Sequence, residues 1–130
     1  MRLISVAAVC LNETPMDWDG NRDRILTAVS LAKQRSAQVL CLPELCISGY
    51  GCEDMFLAPG LPKTAWEILE DILPFCDGIL VAVGLPVMHQ GSVFNAVALI
   101  GDGEIHGLVP KSHLPTEGIH LNKTIATLAA

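Results

Sequence analysis

The chain opens on Leu3–Cys10, an apolar, β-branched run without helical period, which predicts a strand buried on both faces. Asn12–Gly20 is rich in turn formers and predicts a loop. From Asn21 to Ala37, Ile25, Ala28, Val29 and Ala32 recur at helical spacing, with Arg22, Asp23, Lys33 and Arg35 mostly off that stripe. This predicts an amphipathic helix, capped by Asp19 or Asn21. Val39–Leu42 is a second short buried strand, stopped by Pro43. Glu44–Gly60 is irregular and holds Gly49, Gly51, Pro59 and Gly60. A second helix is predicted over Pro62–Phe75, striped by Trp66, Leu69, Ile72 and Leu73, and a third buried strand over Ile79–Val83. Strand, helix, strand, helix, strand makes a parallel sheet through right-handed crossovers. Beyond Leu85, Val93–Ile100 and Glu104–Val109 flank Gly101-Asp102-Gly103, a hairpin signal. Antiparallel strands therefore extend the sheet, and both helices are expected on one side of it.

Composition narrows the class. A length of 130 residues holds one domain. The hydrophobic fraction of 51% excludes a disordered chain, and the net charge of -6 argues against a nucleic-acid partner. Only 17% of the residues are charged, whereas a small domain has much surface to cover with charge. The imbalance points to an oligomer or to part of a longer chain. The charge-free stretch Gly78–Gly101 carries Pro86, His89, Gln90, Gly91 and Asn95 near its middle, which excludes a spanning helix. Arg2 and the apolar run after it have the outline of a signal peptide, but no small-residue cleavage site follows. The strand reading is preferred and no membrane partner is expected. The cysteines, Cys10, Cys41, Cys46, Cys52 and Cys76, are odd in number, and most lie in or beside apolar runs. That suits a reducing, cytoplasmic setting. Neither their spacing nor that of His113 and His120 fits a metal site, so no metal is expected.

Three features stand out as candidate chemistry. Glu44 follows Pro43 at the carboxyl end of a buried strand, the edge of a parallel sheet where ligands bind. Its apolar neighbours suit a general base. Lys111 follows Val109-Pro110 at the end of the last predicted strand. The loop Ser48-Gly49-Tyr50-Gly51-Cys52 sets two glycines around an aromatic residue, so its backbone can approach a ligand. Each has a plainer reading: a strand-end hydrogen-bond acceptor, a solvated lysine, a tight turn.

Taken in order, the motifs carry a resemblance. Leu42-Pro43-Glu44-Leu45-Cys46-Ile47-Ser48-Gly49-Tyr50 resembles the glutamate motif of the nitrilase, or carbon–nitrogen hydrolase, superfamily. Val109-Pro110-Lys111-Ser112-His113-Leu114-Pro115 resembles its lysine motif. Gly84-Leu85-Pro86 and Phe94-Asn95-Ala96 are similar to the strand-and-hairpin segment between them. Within the superfamily, Gly49–Phe56 is most similar to the glutaminase domains of glutamine-dependent NAD synthetases. The resemblance covers residues 1–115. It implies an α/β fold, the layered α-β-β-α nitrilase-type sandwich, present here only as its N-terminal part: a mixed sheet with two helices. In the complete fold the bare sheet face packs on a second sheet. It also implies hydrolysis of a small-molecule substrate, glutamine, by a Cys-Glu-Lys set. A thiolate attacks the amide carbon, a glutamate carries the proton to departing ammonia, and a lysine holds the oxyanion. By motif, Glu44 is the base, Lys111 the oxyanion partner and Tyr50 a wall of the glutamine pocket.

The sequence also departs from that pattern. The superfamily's nucleophile lies well downstream of its lysine, and no residue after Lys111 is cysteine. Cys46 and Cys52 do not match the nucleophile's motif and are expected to be packing residues. Residues 116–130 do not carry the expected aromatic residue and second glutamate in their set pattern and form a divergent tail. The resemblance therefore implies an N-terminal fragment of an amidohydrolase domain that supplies ammonia for ATP-dependent NAD synthesis from deamido-NAD, itself inactive. The alternatives are a fragment of a free-standing amidase of the superfamily, and a non-catalytic remnant serving as a subunit or binding module. No cofactor is implied for the glutaminase part; ATP and magnesium are implied only for a synthetase domain.

Overall fold

The structure, a computed structural model, describes residues 3–112. The divergent tail 116–130 and the motif residues His113, Leu114 and Pro115 lie outside the described residues. The elements in chain order are β1 (Val6–Ala8), α1 (Trp18–Gln34), β2 (Val39–Cys41), α2 (Gly60–Ile72), β3 (Leu80–His89), β4 (Ser92–Gly101) and β5 (Glu104–Pro110). Short 3₁₀ turns cover Glu53–Leu57 and Leu73–Phe75. The strands form one five-stranded sheet in the order β1-β2-β3-β4-β5. The first three are parallel and the last two antiparallel, a mixed α/β sheet as the pattern predicts.

Both helices pack on the same face of the sheet. Ile25, Val29 and Ala32 of α1 share one core with Ala65, Leu69 and Ile72 of α2, over Leu40, Val81, Val83, Leu85 and Ala98. Side chains alternate across a strand, so Val6, Leu80 and Val109 look out from the opposite face, 63%, 36% and 55% exposed. That bare apolar face is the one the sandwich resemblance assigns to a second sheet.

Several local expectations are corrected. The first strand is three residues long, and Leu3 and Ile4 are 78% and 66% exposed. It is not buried on both faces, because β1 is an edge of the described sheet and its outer face is bare. Strand β3 runs well past Val83 and through Pro86. Its ladder to β2 ends at Ala82, so the donor that proline lacks is not needed on that side. The turn Gln90-Gly91, with positive φ at both residues, then closes a hairpin to β4 that the hydrophobic pattern alone does not predict. The expected second turn is confirmed, with Asp102 and Gly103 both at positive φ.

Helix α1 begins earlier than predicted, and its cap is Asp17, whose carboxylate accepts from Gly20 N at 3.3 Å. Asn21 is no cap. It lies 1% exposed on the apolar stripe, accepts from Thr14 N at 3.0 Å and donates to Thr14 O at 2.8 Å and Ile47 O at 3.2 Å. It ties the β1–α1 loop to the loop after β2. Asn21→Leu is expected to lower stability by about 3 kcal/mol, because these buried backbone groups lose their partner. Urea unfolding checks this: the midpoint falls with an unchanged slope.

Candidate active site

The loop after β2 is shaped by contacts on both sides. Leu42 N still donates to Ala82 O at 3.0 Å, extending the strand by one bond. The chain then turns over β3. A Cβ built on Gly84 would stand 2.5 Å from both Pro43 O and Leu45 N, so the loop rests on bare backbone. Leu45 has φ 53, an uncommon conformation for a branched side chain. Its side chain is 1% exposed and packs with Cys52, Phe56 and Leu61, which offsets that strain. Ile47 N donates to Gly84 O at 3.4 Å and Gly49 N to Leu45 O at 2.8 Å. Gly49 sits at φ 82, and a Cβ there would come within 2.8 Å of Pro15 Cα. The β1 and β2 loops are thereby locked together at the carboxyl edge of the parallel strands.

Glu44 stands between these anchors on the bare side of the sheet. Lys111 Nζ lies 2.7 Å from Glu44 Oε1, and both side chains are about a third exposed, 35% and 36%. The two residues are 67 apart in sequence; the β3–β4–β5 antiparallel ladder brings the second onto the first. Asn95 Nδ2 donates to the same Oε1. The sequence reading does not include Asn95 among the site residues. The signal was a lone amide in the apolar run Val93–Ile100. Tyr50 is on the same loop, in the turn between Gly49 and Gly51, and 36% exposed. An ammonium and a carboxylate in contact at a strand edge can hold an oxyanion and move a proton.

The cysteines divide into two groups. Cys46 and Cys52 are buried, with their Sγ atoms donating to Gly84 O at 3.5 Å and to Ser48 O at 3.1 Å. Burial pushes the Cys46 thiol up to about 12 and raises that of Cys52 as well. Both stay protonated at neutral pH, as packing residues would. Cys76 is also buried, and its thiol is raised to about 11. Cys10 and Cys41, in contrast, are exposed. Glu13, at the end of the β1 segment, was also missed. Burial raises its carboxyl, and its Oε1 is buried without a hydrogen-bond partner among the described residues. Among the described residues no cluster of three His, Cys, Asp or Glu could hold a metal ion. No helix among them is long and apolar enough to cross a membrane.

The raised thiols give the fold an alkaline limit. Folded, Cys46 and Cys76 hold their protons more tightly than they do in the unfolded chain, where each ionises near 9.0. Their contribution is complete below that pH and is lost as pH rises toward about 11 for Cys76 and about 12 for Cys46. The slope is about 1.4 kcal/mol per pH unit for each thiol. Urea midpoints measured either side of pH 9 are expected to fall on the alkaline side, and Cys76→Ala is expected to flatten the fall. Midpoints that do not move, or that move equally in the variant, would show that these thiols titrate normally.

Known proteins share this fold. The carbon–nitrogen hydrolase family model matches residues 5–127. A glutamine-dependent NAD(+) synthetase of Saccharomyces cerevisiae is 39% identical over 118 residues, covering 89% of this chain and 16% of the relative. The crystal structure of a glutamine-dependent NAD(+) synthetase from Cytophaga hutchinsonii superposes with a TM-score of 0.93 at 38% identity, over 97% of this chain and 22% of that one. An amidase from Nesterenkonia sp. AN1 shares the fold, with a TM-score of 0.80 at 20% identity over 98% of this chain and 49% of that one. This chain thus spans a small part of the synthetases it matches. The chain belongs to the carbon–nitrogen hydrolase family, as the N-terminal part of its α/β fold.

Proposed function

We propose that this chain is the N-terminal part of a glutamine amidohydrolase unit whose ammonia serves ATP-dependent NAD synthesis from deamido-NAD. The observation that carries the reading is the Glu44–Lys111 contact at the carboxyl edge of the sheet. In this reading Glu44 takes the proton from an attacking thiol and gives it to the leaving ammonia. Lys111, in contact with Glu44, faces the oxygen that becomes negative as the amide carbon turns tetrahedral. Tyr50 walls the pocket. The thiolate comes from a cysteine beyond Lys111 in the family's order, so the residues here bind, orient and move the proton. The hydrolysis itself calls for no cofactor. ATP and magnesium belong to the synthetase step. The setting is cytoplasmic, consistent with free thiols at all five cysteines.

The synthetase relatives support this reading over a free-standing amidase. Relatives named glutamine-dependent NAD(+) synthetase reach 39% identity, whereas the amidase likeness stands at 20%. The test is the natural gene product that contains this segment, assayed for glutamine-dependent conversion of deamido-NAD with ATP. Amidation that Glu44→Gln abolishes with glutamine, but leaves intact with free ammonia, supports the reading. Ammonia release uncoupled from any synthetase activity favours the free-standing amidase. No amide hydrolysis at all leaves the non-catalytic remnant.

A further inference from the structure

We infer that Asn95 is the positioning residue of this site, fixing Glu44 against Lys111 so that one carboxylate oxygen is anchored and the other is kept for proton transfer. The inference rests on the amidohydrolase reading and adds a residue to it. Asn95 is 3% exposed in the middle of β4, between Phe94 and Ala96, whose register partners Val87 and Leu85 belong to the helix-side core. A buried amide costs stability unless its hydrogen bonds are made. Here its Nδ2 donates to Glu44 Oε1, the oxygen that also accepts from Lys111 Nζ. Its backbone carbonyl accepts from Lys111 N at 2.7 Å. One residue therefore holds both partners through different groups, its side chain on the Glu44 carboxylate and its main chain on the Lys111 backbone.

The chemistry explains why an amide is needed beside the lysine. An ammonium is a compact charge on a flexible stem and accepts a carboxylate in many orientations. An amide on a strand has a fixed direction, so it selects one oxygen and one rotation of the carboxyl plane. With Oε1 committed twice, Oε2 accepts no hydrogen bond from the described residues. A base needs an oxygen that can accept at the moment it takes a proton. Pro86, opposite Asn95 in the ladder, brings no N–H of its own to the position.

Lysine reactivity tests this without requiring amide hydrolysis. The 130-residue chain is labelled with a small amine-selective acylating reagent, and each lysine is followed by mass spectrometry. Lys63, 79% exposed, and Lys33 are internal references. Asn95→Leu removes the donor at similar volume; Asn95→Ala removes it without overpacking. Each is expected to raise the Lys111 labelling rate by about fivefold, the size of a partly exposed charge contact, with Lys33 and Lys63 unchanged. Glu44→Gln is expected to do the same, and Glu44→Gln with Asn95→Leu no more than either alone, since Asn95 acts on the Lys111 side chain through Glu44. A residue with a merely structural role would add its effect in the double variant. Lys111 labelling that stays at the wild-type rate in the Asn95 variants, additive effects, or faster labelling of every lysine in both variants overturns the inference. Failure of the amidohydrolase reading shows in the deamido-NAD assay, independently of these rates.

Discussion

Purified 130-residue chain given glutamine is expected to release ammonia no faster than a protein-free blank. The thioester route needs a thiolate at the amide carbon. Cys46 and Cys52 are buried thiols held protonated, and no cysteine follows Lys111. Glu44 and Lys111 can orient and polarise an amide, but deleting the nucleophile from a concerted set costs about a millionfold in kcat. The missing attack is therefore the largest single effect. The control is Glu44→Gln in the same chain. Robust turnover that Glu44→Gln abolishes would sink the prediction. The next variant would then be Cys41→Ser, because Cys41 is exposed at the strand end just before the Glu44 loop.

The parts of this molecule legible in its sequence are those set by period and by turn chemistry. Helical spacing of Ile25, Ala28, Val29 and Ala32 placed α1 on the sheet, and Asp102-Gly103 named its turn. Glu44 and Lys111 stood out because each ends an apolar strand, and the ladder does bring them into contact. What stayed hidden depended on tertiary partners. Asn21 sits at a helix start and has a capping residue's identity; only the folded chain shows its amide aimed inward at Thr14 and Ile47. The β3–β4 hairpin was masked by Pro86, a strand breaker unless one side of the strand has no partner. The exposure of Val6 was illegible because β-branched apolar residues fit a buried strand equally well. Asn95 carries no periodic signal. Its role appears only where three strands and a loop meet.

Gly84→Ala is expected to dismantle the site, and more thoroughly than removal of any one polar contact. Gly84 lies in the middle of β3, and the added methyl would sit 2.5 Å from Pro43 O and from Leu45 N and 3.0 Å from Glu44 C. Real Cβ atoms do not approach backbone so closely, and backbone cannot swing aside as the end of a long side chain can. The loop that carries Glu44 must lift. Lifting it breaks the Ile47 N to Gly84 O bond and draws the buried side chain of Leu45 out of its contacts with Cys52, Phe56 and Leu61. Overpacking of this kind costs about 1–3 kcal/mol before those contacts are lost, so a total of at least about 3 kcal/mol is expected. Gly107→Ala is the matched control. It also adds a methyl to a strand glycine, but nothing lies within 4 Å of its Cβ, and its unfolding free energy from urea titration should stay within about 0.5 kcal/mol of the parent. The second readout is Lys111 labelling, which should rise in Gly84→Ala and not in Gly107→Ala, because a lifted loop takes the Glu44 carboxylate away from Nζ. Equal midpoints for the two variants, or unchanged Lys111 labelling in Gly84→Ala, would show that the loop does not depend on bare backbone beneath it.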